Sequence, residues 1–107
     1  MAVGYSVRIA GSAKEGMRAI QSNVPDLILT DIAMPDMDGY ELLRTLQRDD
    51  ATRAIPVILL TGTVDDDSRL HGMQLGAAAY LEKPVTRRDL LKSVSTALQA
   101  AGKKIET

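Results

Sequence analysis

Two runs in this sequence, Asp26–Thr30 (DLILT) and Pro56–Thr61 (PVILLT), are apolar at consecutive positions rather than at alternate ones. A strand with one wet face alternates. A strand that is apolar throughout must be covered on both faces, as parallel strands between helices are. Two further short runs, Tyr5–Ala10 (YSVRIA) and Ala79–Leu81 (AYL), complete a set of strand candidates. YSVRIA does alternate, with Val7 and Ile9 on one side and Ser6 and Arg8 on the other, which suits an edge strand.

Helical patterns separate these runs. Ser12, Asp38 and Thr86 each stand three residues before an acid (Glu15, Glu41 and Asp89), the spacing of a helix-capping box. Asp65, Asp66 and Asp67 bring negative charge to a third helix start, where the helix dipole favours it. Apolar residues gather on one side of the first helix (Met17, Ala19, Ile20), the second (Leu42, Leu43, Leu46) and the last (Leu90, Leu91, Val94, Leu98). Gly76 stands where a helix C-terminus takes a left-handed residue. The order βαβαβαβα predicts an α/β fold, a parallel sheet sandwiched by helices.

Composition excludes several alternatives. The chain has 107 residues, so one domain is expected, with 1–4 and 102–107 as loose ends. Its 13 basic and 14 acidic residues give no overall pull toward nucleic acid or a membrane surface. Phe and Trp are absent and Tyr numbers 3, which leaves no platform for stacked bases. With no cysteine there is no disulfide framework and no thiolate metal site. A cytoplasmic location is expected. Neither a nucleic-acid nor a membrane partner is.

In parallel sheets of this kind, sites form beyond the carboxyl ends of the strands. Asp31 and Thr61 stand at two such ends, and Lys83 follows the last strand closely. A carboxylate, a hydroxyl and a cation are thereby brought to one edge. Asp36 and Asp38 read as turn and helix-cap residues rather than ligands. They do not form an EF-hand, because Met34 and Thr45 occupy its first and twelfth positions, where acids are needed. His71 reads as a solvated surface residue.

The pieces DIAMPDMDGYELL, LLTG and GAAAYLEKP, in that order and at these intervals, resemble the receiver domain of two-component response regulators. The likeness runs from about Tyr5 to about Ala101. It implies a flavodoxin-like fold with Asp31 as phosphoacceptor, supplied by a sensor histidine kinase or a phosphotransfer protein. Thr61, Gly62 and Lys83 would bind the phosphoryl oxygens, and Thr61 and Tyr80 would form a switch. Pro84 would follow a cis peptide bond. Asp31 and the backbone carbonyl of Ala33 would ligate Mg2+. Such a domain is not an enzyme beyond self-catalysed phosphotransfer and dephosphorylation. The alternative is a protein-interaction or dimerisation module that keeps the scaffold without phosphorylation.

The resemblance begins at the family's second strand. The acidic pair that ends the family's first strand has no counterpart here, since the first acid is Glu15. Mg2+, expected from the family, is therefore expected to bind weakly. The truncation would remove a central strand and open a gap of about 9.6 Å, two strand spacings. A rearranged sheet, or one completed by a homodimer, is the expected remedy.

Overall fold

Two parallel backbone ladders joining three strands carry the architecture. The computed structural model describes residues 12–22, 24–33, 36–62 and 66–100 of the chain. The expected strand Tyr5–Ala10, both loose ends, and Met34, Pro35 and Asp65 lie outside these residues. Among the described residues the elements run α1 (Ala13–Ser22), β1 (Ile28–Asp31), α2 (Gly39–Arg48), β2 (Val57–Thr61), α3 (Asp66–Gln74), β3 (Ala79–Glu82) and α4 (Arg87–Ala100). The strands pair in parallel in the order β1-β2-β3, each joined to the next through a helix, as parallel strands require.

The helices begin where the sequence signals them. Ser12 Oγ accepts from the Glu15 amide (3.2 Å), Asp38 Oδ1 from Glu41 (2.8 Å) and Thr86 Oγ1 from Asp89 (3.1 Å). Each side chain thus satisfies one of the donors that a helix start leaves unpaired. At the other end of α3, Gly76 has φ +102° and its amide donates to the Met73 carbonyl, the left-handed geometry that favours glycine. Thr52, buried, donates its hydroxyl to the Leu46 carbonyl near the end of α2 (2.7 Å), so a carbonyl left over by the helix is not stranded in the core.

Register divides the sheet into two unlike faces. Ile28 lies beside Val57, and Thr30 beside Leu59 and Tyr80. These residues share a face, because side chains alternate along each strand. On that side Ile20, Leu42, Leu43, Leu46, Val57, Leu59 and Ala77 form one buried cluster, with Ile28, Tyr40 and Tyr80 packed against it. The opposite face carries Leu29, Ile58, Ala79 and Leu81 by the same register. There Ile58 is 0% exposed but Leu29 is 41% exposed. The expectation that all of DLILT is covered on both faces therefore fails at Leu29. Among the described residues, cover on that side closes over Ile58 of the middle strand and leaves Leu29 of β1 partly open. The strand is also shifted: it spans Ile28–Asp31, so Asp31 belongs to the ladder instead of following it.

Leu43 is 0% exposed and sits in the main cluster. Leu43→Ala should lower the free energy of unfolding by about 2–5 kcal/mol, read as an earlier urea midpoint with unchanged slope. An effect as small as that of Leu70→Ala, on the exposed side of α3, would place the core elsewhere.

Candidate functional site

The carboxyl ends of the strands meet around a cavity of about 110 Å³ lined by Asp31, Ile32, Ala33, Leu60, Thr61, Gly62 and Lys83. A water molecule occupies about 30 Å³ in the liquid, so the space suits a few waters or one small oxyanion. Parallel register accounts for the gathering. Asp31 pairs with Leu60 in β2, Thr61 pairs with Glu82 in β3, and the Lys83 amide donates to the Thr61 carbonyl (2.7 Å). The Lys83–Pro84 bond is cis.

Lys83 Nζ forms an ion pair with Asp31 Oδ1, and both side chains are about half exposed. Oδ1 itself is buried beneath the ammonium, so the open part of the carboxylate lies on the Oδ2 side. A half-exposed pair of this kind contributes about 0–1 kcal/mol to stability. Its main consequence is placement: a cation is held against one oxygen of the carboxylate while the other is accessible. At Gly62, which also lines the cavity, an added Cβ would meet nothing within 4 Å.

Two neighbouring residues support the site in ways the sequence pattern did not signal. Gly39 opens α2 with its amide bonded to the Ile32 carbonyl (2.6 Å). A Cβ there would lie 2.8 Å from the Asp31 carbonyl oxygen and 2.9 Å from Ile32 Cα, so the helix start presses directly on the Asp31 peptide. Glycine is needed for close approach, not only to let the helix begin. Asp36, expected as a turn residue, instead caps the start of α1. Its two oxygens accept from the amides of Ala13 (3.1 Å) and Lys14 (3.0 Å). Hydrogen bonding from the Lys14 amide above all, with that of Ala13, holds its carboxyl below the ordinary 3.8, against an opposing effect of desolvation.

Tyr80 lies on the core face of β3, its hydroxyl 3.3 Å from that of Tyr40. The motif gives Tyr40 no role of its own, yet it links α2 to both α3 and β3. It stands just after Gly39, at the start of the helix that follows Asp31.

The chain belongs to the response regulator receiver domain family, whose family model matches residues 2–95. It is 36% identical over 95 residues to protein PilH of Pseudomonas aeruginosa, covering 89% of this chain and 78% of that protein. It is 35% identical over 99 residues to the phosphate regulon transcriptional regulatory protein PhoB of the same organism, covering 92% of this chain but 43% of PhoB. The chain thus spans less than half the length of that relative. Among solved structures, a CheY-like response regulator receiver domain protein from Methanospirillum hungatei superimposes with a TM-score of 0.82 at 35% identity, over 92% of this chain and 78% of that one. A receiver domain protein from Clostridium thermocellum gives 0.82 at 36% identity, over 92% and 79%. Domains of this family act with histidine kinases or phosphotransfer proteins in two-component signalling and typically bind Mg2+.

The described residues do not fit a resident Mg2+ site. No group of three or more His, Asp or Glu side chains converges among them. Asp31 Oδ1 already carries the Lys83 ammonium, and Asp36 is committed to the start of α1. One carboxylate and the Ala33 carbonyl are a thin donor set for a cation that demands an oxygen octahedron. No helix among the described residues is long and apolar enough to cross a membrane.

If the ammonium competes for Asp31, Lys83→Met should strengthen Mg2+ binding in calorimetric titration. Unchanged affinity would mean that Lys83 does not limit the site. For Asp36, the lowered carboxyl supplies stability that is complete above the ordinary carboxylate range and fades as pH falls through its folded-state value. Asp36→Asn should therefore be less stable than the wild type at neutral pH, with the gap closing below about pH 4. A gap that is constant with pH would remove the charge from the explanation.

Proposed function

We propose that this chain is a phosphoacceptor of a two-component phosphorelay. Asp31 takes the phosphoryl group from a phosphohistidine of a histidine kinase or phosphotransfer protein. The observation that carries this reading is the convergence of Asp31, Ala33, Thr61, Gly62 and Lys83 on one cavity, with Lys83 paired to Asp31.

A carboxylate oxygen attacks phosphorus in line with the departing imidazole nitrogen. The new O–P bond forms as the P–N bond breaks, and the nitrogen leaves with the electron pair and takes up a proton. The product is an acyl phosphate on Asp31. Such transfers depend chiefly on positioning and on neutralising phosphoryl charge. Lys83 offsets one oxygen, while the Thr61 hydroxyl and the Gly62 amide donate to others. No step is routed through a metal.

Thr61 and Tyr80 then act as the switch, and the face of α3, β3 and α4 is what partners read. Leu70 and Met73, both exposed on α3, give that face apolar contact points. A homodimer would supply the cover that Leu29 lacks. The cytoplasm is the compartment in which such a relay operates.

The thin metal donor set favours one rival, a receiver scaffold that signals by contact alone. Intact mass after incubation with a small-molecule phosphodonor and Mg2+ separates the two. One phosphoryl adduct, absent from Asp31→Asn, is the expected result. A folded sample that gains no adduct would support the contact-only scaffold.

A further inference from the structure

We propose that Tyr40 is a positioning residue for Tyr80, and that through it the Asp31 segment is tied mechanically to α3. The Tyr40 hydroxyl lies 3.2 Å from the Ser68 carbonyl oxygen and 3.3 Å from the Tyr80 hydroxyl. A phenol has one hydrogen, and a carbonyl can only accept. With the Tyr40 hydrogen given to Ser68, Tyr80 is the donor to Tyr40. The ring of Tyr40 is itself held, edge-on to His71 with centroids 4.8 Å apart.

Packing shows that the two rings share one slot. At Gly72 of α3, an added Cβ would come within 3.1 Å of Leu59 Cδ1, 3.2 Å of Tyr80 Cδ2 and 3.5 Å of Tyr40 Cε1. The missing side chain of Gly72 lets α3 close over both tyrosines. Within α2, the backbone of Gly39 abuts the Asp31 and Ile32 backbone, and Tyr40 is the next residue. A displacement of the Asp31 peptide therefore moves the anchor of Tyr40, and with it the acceptor that orients Tyr80. This coupling runs through α2, separately from any contact between Thr61 and Tyr80.

The inference deepens the switch reading and rests on it for its signalling consequence, whereas the contact itself is testable without phosphorylation. In the unmodified protein, Tyr40→Phe keeps the ring and removes the bridging hydroxyl. Amide hydrogen exchange in α3 and β3 should quicken about fivefold, the effect of one ordinary hydrogen bond, while the α2 amides from Leu42 to Leu46 keep their rates. A cycle with Tyr80→Phe should be non-additive, the double variant exchanging little faster than Tyr40→Phe alone. Additive effects, or exchange rates unchanged by Tyr40→Phe, would overturn the assignment.

The same measurement after phosphodonor treatment then tests the coupling. The change in α3 exchange on modification should shrink in Tyr40→Phe relative to the wild type, although both acquire the adduct. An undiminished change would overturn the coupling. Failure of the wild type to acquire an adduct would refute the phosphoacceptor reading instead, with the cycle on unmodified protein still deciding the role of Tyr40.

Discussion

Everything at the site depends on the parallel register of three short strands. The ladder runs past the strands at both ends: the Ile28 amide donates to Pro56, Ile32 to Leu60, Ala78 to Val57 and Lys83 to Thr61. Those bonds make Asp31, Thr61 and Lys83 neighbours although they are far apart in the chain. A slip of one residue between β1 and β2 would exchange the faces of β1. Asp31 would then turn toward the side occupied by Leu43 and Leu59, and Thr30 would leave it. Burying a carboxylate against that cluster would cost more than the register change could return, so the core that selects the register also sets the position of the carboxylate.

The two faces of the sheet divide the work unequally. One is packed by α2 and neighbouring residues around Leu43, Leu46 and Leu59. The other covers Ile58 fully but leaves Leu29 substantially in water. Cohesion therefore concentrates on the face that also holds Tyr40 and Tyr80. Movement of those rings is resisted by core packing, whereas Asp31 and Lys83, half exposed, can rearrange at little cost. A stiff interior beside a soft site is the combination in which a change at the carboxylate can be felt by α3 without unfolding the chain.

Much of this was legible in the residues. The unbroken apolar runs specified parallel strands, the three capping positions specified helix starts, and strand ends specified where Asp31, Thr61 and Lys83 would gather. What the sequence did not disclose depends on contacts between segments with no periodic signature. Asp36 is close to α2 in the sequence, yet it caps α1, because the fold brings the α1 start within reach of its carboxylate. Leu29 looks as apolar as Ile58, and only the arrangement of the helices decides that one is wet and the other dry. The reach of Gly39 to the Asp31 peptide is a matter of ångströms, which the motif D-G records only as permission for a helix to start. Tyr40 occupies an ordinary first-turn position, and its role emerges only with Ser68, Gly72 and Tyr80 around it.

Magnitudes also decide how the site can operate. The Asp31–Lys83 pair, about half exposed on both sides, holds at most about 1 kcal/mol. Hydrogen bonds to a charged group are worth about 1.5–3 kcal/mol each. An oxyanion seated in the cavity and accepting from Thr61, Gly62 and Lys83 can therefore take the ammonium from Asp31 without strain elsewhere. The resting pair is thus easily exchanged: it keeps the cation within reach and Oδ1 shielded. Because the Lys83 backbone is bonded to Thr61, such an exchange needs to move only the side chain.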